Sequence, residues 1–149
     1  MLQPGEVRAV PTTPWHLWVV GVVSLIWNLF GCYDYVMSKL RPDSYLGSMG
    51  PDVVAYMRAF PAWLTAFWAL GVWGSLAGSV LLLRRSRHAV IAFALSLIGL
   101  AVSQGYQIAM APAPGMNGAA MQTVTVVIWT ALLLFLVYAQ RMKAVHVLR

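Results

Sequence analysis

Residues 15–37 read WHLWVVGVVSLIWNLFGCYDYVM, an apolar run broken by a few polar groups that a bilayer interior would not solvate. A spanning helix needs about 20 mostly apolar residues, and this run supplies them. With Asn28 in mid-run and no small-residue cleavage pattern after it, the segment is expected to be a retained helix rather than a removable leader. Three further windows qualify: Ala62 to Leu83, Ala89 to Met110 and Ala119 to Ala139. The chain of 149 residues is 60% hydrophobic and only 9% charged, which leaves no room for a separate soluble domain. The expected fold is all-α, a single four-helix membrane bundle over residues 1–149.

Prolines mark the boundaries. Pro4, Pro11 and Pro14 imply an extended N-terminal tail. Pro14 and Pro61 sit where helices start, because proline's missing N–H falls among donors that the first turn leaves unpaired anyway. Pro112, Pro114, Gly115 and Gly118 break the chain between the third and fourth spans. Two connections remain, an outer loop over residues 38–61 and the short loop 84–88.

Short loops rich in Lys and Arg stay on the cytoplasmic side. Arg84, Arg85 and Arg87 lie in one such loop. With four spans, both termini share its side, adding Arg8, Arg141, Lys143 and Arg149. The opposite side holds Lys39, Arg41 and Arg58, diluted by Asp43 and Asp52. Both termini are therefore expected to be cytoplasmic. The net charge of +6 then follows from topology and contact with anionic lipid, and no nucleic-acid partner is expected.

Catalytic signatures are absent: there is no HExxH, GxSxG, GxxxxGK[ST] or GxGxxG, and the serines of the spans have no base beside them. Cys32 is the only cysteine, which excludes an internal disulfide or a redox pair. The thioethers of Met37, Met49, Met57, Met110, Met116 and Met121 gather toward the outer side without tight ligand spacing, as gap-filling methionines do. The expectation is a non-enzyme with no cofactor and no metal.

At about 100° per residue, Ser24, Trp27, Asn28, Gly31, Asp34, Tyr35 and Ser38 share one side of the first helix. The third span has a comparable stripe in Ser96, Gly99, Ser103, Tyr106 and Gln107, with Gln104 beside it. Asn28, Asp34, Tyr35, Gln104 and Gln107 are thus candidates for a polar pocket or an interhelical network, with Arg58 as the expected counter-charge of Asp34. The second span carries small residues at four-residue spacing, Gly71, Ser75 and Ser79, and again Gly74 and Gly78. Such ridges let helices approach closely, so these residues, with Gly31 and Gly99, are the expected packing positions. Within the outer loop, Pro51 and Asp52 open a short surface helix whose Val53, Val54, Met57 and Phe60 form an apolar strip.

Trp27-Asn28, Gly31, Asp34-Tyr35, Met37, then Trp68-Ala69-Leu70-Gly71-Val72-Trp73-Gly74, Leu81-Leu82-Leu83-Arg84 and Ser96-Leu97-Ile98-Gly99 resemble small bacterial four-span proteins. Such proteins are commonly labelled "sugar transporter" or uncharacterised membrane protein. The resemblance runs roughly from Trp27 to Tyr106 and implies a bacterial inner-membrane setting. Two functions follow as expectations. One is a small accessory or scaffold subunit of a membrane assembly, partnered by lipid and by other membrane subunits or further copies of itself. The alternative is a transport or solute-binding protein with an outward polar pocket, itself oligomeric.

Overall fold

The computed structural model describes residues 12–110, 116 and 118–149. The N-terminal tail with Pro4, Arg8 and Pro11, and the break at Pro112, Pro114 and Gly115, lie outside the described residues. Helix α1 covers Trp15–Leu40, α2 Pro42–Tyr45, a 3-10 turn Gly47–Met49, α3 Pro51–Arg58, α4 Ala62–Leu83, α5 Ala89–Ala109 and α6 Ala119–Ala144. Helices α1, α4, α5 and α6 are each long and apolar enough to cross a membrane. The fold is an all-α bundle of four long helices, with α3 as the surface helix of the long connection. Val53 and Val54 are its buried residues.

Helix ends follow local chemistry. Pro14 precedes α1 and Pro61 precedes α4, both in extended conformation. Helix α1 runs on to Leu40, past the expected end at Met37, with Lys39 in its last turn. Helix α6 likewise continues through Arg141 and Lys143, where cations complement the negative end of the helix dipole.

The tightest pairing joins α4 to α5. An added Cβ on Gly99 would lie 2.5 Å from the Gly71 nitrogen and 2.6 Å from the Phe67 carbonyl oxygen, so the two backbones touch at that level. Gly74 sits against Ser96 and Gly78 against the Phe93 ring. Gly71, Gly74 and Gly78 thus form the α5-facing ridge of α4. Ser75 and Ser79 lie on another side of α4 and meet α1. Gly31 is a correction to the packing set: nothing lies within 4 Å of where its Cβ would be, because α1 turns Asn28 and Cys32 rather than Gly31 onto α4.

The apolar core is concentrated at one end of the bundle. Leu17, Leu82, Ala89, Phe93, Leu132 and Ala139 pack there together with Val147 and Leu148 of the C-terminal segment. At that same end a hydrogen bond joins His16 Nδ1 and the Tyr138 hydroxyl, tying the start of α1 to the end of α6. The Phe93 and Phe135 rings add a tilted contact 6.0 Å between centroids. The opposite half of α6 is less buried, and Val124, Val126 and Val127 are exposed.

Candidate functional site

The polar groups of α1 define a seam rather than a cavity. Leu17, Gly21, Ser24, Asn28, Cys32 and Ser38 are the buried residues of the helix. Asn28 Nδ2 donates to the Ser79 hydroxyl at 2.8 Å and to the Ser75 carbonyl at 3.2 Å. The Ser79 hydroxyl in turn donates to the Ser75 carbonyl at 3.1 Å. On the far side of α4, the Ser96 hydroxyl of α5 donates to the Gly71 carbonyl. One helix therefore carries hydrogen bonds from both neighbours. In lipid such bonds contribute about 0.6 kcal/mol each on average, which is modest but directional.

The inward face centres on Asn28, and this moves one expected member, Asp34, out of it and brings Cys32 in. Asp34 is turned about 120° from Asn28 at 100° per residue. Cys32 is turned only about 40°, and its thiol approaches the Val72 carbonyl at 3.8 Å. A cysteine reads as apolar in a sequence pattern, so the centre of the polar stripe is displaced by one residue type.

Asp34 belongs to an outer rim. Its Oδ1 accepts a hydrogen bond of 2.8 Å from the Tyr45 hydroxyl. This hydrogen bond, then burial, then the carboxylate's negative charge, hold the Tyr45 phenol up at about 12. Arg58 is a second correction: it pairs with Asp43, not with Asp34. The turn through Pro42–Tyr45 brings Tyr45 back over α1 and leaves Asp43 facing the end of α3. Both side chains of the Arg58–Asp43 pair are more than half exposed, so water screens it.

Lys39 lies on the same rim. Its ammonium donates to the Thr65 hydroxyl at 3.0 Å and stands 5.8 Å from the Phe60 ring centre and 5.6 Å from that of Trp68. Tyr35 meets the edge of Trp68 at 4.8 Å, and Tyr56 meets Phe60 at 5.1 Å. The Tyr56 hydroxyl is buried without a hydrogen-bond partner among the described residues, and burial pushes its phenol up. A lysine over aromatic faces gains cation–π attraction while its stem stays in apolar surroundings. Sequence reading missed this cluster, although Lys39 close after a span and Trp68 one turn after Thr65 carried its signal.

The glutamines do not join Asp34 and Tyr35. Gln107 Nε2 donates to the Ser103 carbonyl of its own helix at 3.2 Å. Gln104 is half-buried on α5 and takes no part in these bonds. No group of three or more His, Cys, Asp or Glu side chains that could hold a metal ion occurs among the described residues.

Fold and seam together define a multi-pass membrane protein whose buried polar groups join helix to helix. Comparison with protein-family models, curated proteins and solved structures returns no match.

Proposed function

We propose that the protein is a small accessory or scaffold subunit of a bacterial inner-membrane assembly, with both termini cytoplasmic, and that α6 is the helix it offers to a partner. The observation that carries this reading is the uneven burial of the four spans. In the most apolar window of α6 only 6% is buried, against 22–28% for the other three. The less buried half also bears Thr123 and Thr130, both exposed. Small hydroxyl residues favour contact with another helix, because they permit close approach and hydrogen bonds that lipid cannot provide. Asn28 of α1 and Ser75 and Ser79 of α4 are already occupied with one another in the seam, which supports a packing role over solute binding. The basic loop Arg84–Arg87 supports the orientation, and the resemblance to small bacterial four-span proteins supports the setting.

A photo-crosslinking residue at Val126 tests the proposal in native membranes, with Ile26 on the exposed side of α1 as reference. The expected result is a heteromeric adduct from Val126 alone, and native mass spectrometry after gentle extraction should hold the same complex. Only monomers or homodimers in both measurements would overturn it.

A further inference from the structure

The end of the bundle that carries the core also carries a built cationic cleft. The C-terminal segment folds back over the α4–α5 loop. The Arg87 amide donates to the Arg149 carbonyl at 2.9 Å, and the Arg149 amide to the Arg85 carbonyl at 2.7 Å. The Arg85 guanidinium reaches the Val147 carbonyl at 3.5 Å. Arg85 and His146 both take the left-handed backbone conformation, each with φ of 58°, which turns the two strands of chain against one another. Val147 and Leu148 are buried beneath, 4% and 5% exposed, so the arrangement is anchored rather than lying loose on the surface. The resulting cleft, of about 350 Å³, is lined by Arg87, Lys143, His146, Leu148 and Arg149.

Charge in this cleft is unbalanced. The one ion pair among the described residues, Arg58 with Asp43, lies in the loop between α1 and α4, at the other end of the bundle. Among the described residues Arg87, Lys143 and Arg149 have no carboxylate partner there, and an α-carboxylate after Arg149 would offset only one of the three. Depth narrows the ligand. Trp15 is 76% exposed and Trp18 49%, at the level set by the His16–Tyr138 bond, as in an interfacial aromatic belt. Lys143 follows Tyr138 by about 8 Å along the helix, within the several ångströms of headgroup that flank the hydrocarbon.

We propose that this cleft binds the phosphate of an anionic phospholipid headgroup in the leaflet at that end of the bundle. The guanidinium of Arg87 and the ammonium of Lys143 meet the phosphate oxygens, and Leu148 lies beside the glycerol and the start of the acyl chains. The site is independent of any protein partner on α6.

The test is native mass spectrometry of the full chain in a neutral detergent, titrated with phosphatidylglycerol, with phosphatidylcholine and with inorganic phosphate. The expected result is one retained phosphatidylglycerol, with affinity falling about fivefold in Arg87→Gln and again in Lys143→Gln. Arg84→Gln removes the same charge from the same loop but outside the cleft, and is expected to leave affinity within about twofold. Circular dichroism checks that each variant keeps its helices. The proposal is overturned if Arg84→Gln weakens binding as much as Arg87→Gln, which is the signature of diffuse charge. Equal retention of phosphatidylcholine overturns it too, as does displacement of the lipid by phosphate alone, which reassigns the cleft to a soluble anion.

Discussion

Replacing Gly99 by alanine adds one methyl group at the closest approach in the bundle. That carbon would lie 2.5 Å from the Gly71 nitrogen and 2.6 Å from the Phe67 carbonyl oxygen, both backbone atoms that no side-chain rotation can move aside. Ordinary contact begins near 3.4 Å, so α4 and α5 must separate by about 0.9 Å at this level. Overpacking of this kind costs about 1 to 3 kcal/mol. Separation also stretches the Ser96 hydrogen bond to Gly71, about 0.6 kcal/mol more. The gain in helix propensity from glycine to alanine offsets about 1 kcal/mol. The net expectation is a loss of about 0.6 to 2.6 kcal/mol. Gly31→Ala is the matched control, since its new methyl meets nothing within 4 Å and keeps only the propensity gain. Equilibrium unfolding in mixed micelles with a denaturing detergent, read by tryptophan fluorescence, measures both. Equal stability of the two variants would refute the backbone contact, and with it the assignment of Gly71 and Gly99 as the facing pair.

Asn28→Leu keeps the side-chain size but removes both donors to Ser75 and Ser79, and is expected to cost about 1 kcal/mol in the same assay; an unchanged or higher stability contradicts the seam. The tyrosine absorbance titration should contain the Tyr45 phenol ionising near 12, and Asp34→Asn should return it toward 10. Because that pKa is raised on folding, the stabilisation from this bond is complete below about pH 10 and is lost as pH climbs through 12; a midpoint unmoved in Asp34→Asn contradicts the pairing. Arg58→Ala should change stability by less than about 1 kcal/mol, since its pair with Asp43 is exposed, and a larger loss in the unfolding assay would give the loop a structural weight the geometry does not.

The four long helices were legible because length and hydropathy alone decide a span, and each window expected from the sequence contains a helix. The ends were less so: α1 passes Met37, and the Lys39 ammonium of its last turn is met by Thr65, Phe60 and Trp68, which lie far along the chain. Faces were legible only to within about a residue. Asn28 and Asp34 share a broad side at 100° per residue, yet the neighbour that settles which part is buried, Ser79 of α4, is 51 positions away. Gly31 and Gly99 are indistinguishable as letters; only the presence of Gly71 opposite one of them separates their roles. The loop resisted for the same reason, since whether Arg58 meets Asp34 or Asp43 depends on how Pro42 and Gly50 turn the chain.

The attachment of α6 at one end bears on how the protein meets bilayers of different thickness. At 1.5 Å per residue its apolar stretch, residues 119–139, extends about 32 Å, close to a hydrocarbon core of about 30 Å, with Arg141 and Lys143 beyond it. Mismatch is relieved by tilt, and the end held by Tyr138, Phe135 and the folded-back tail cannot yield. A bilayer thinner than this stretch therefore acts first on the less buried outer half, and the angle that half presents to a neighbour then depends on the lipid around it.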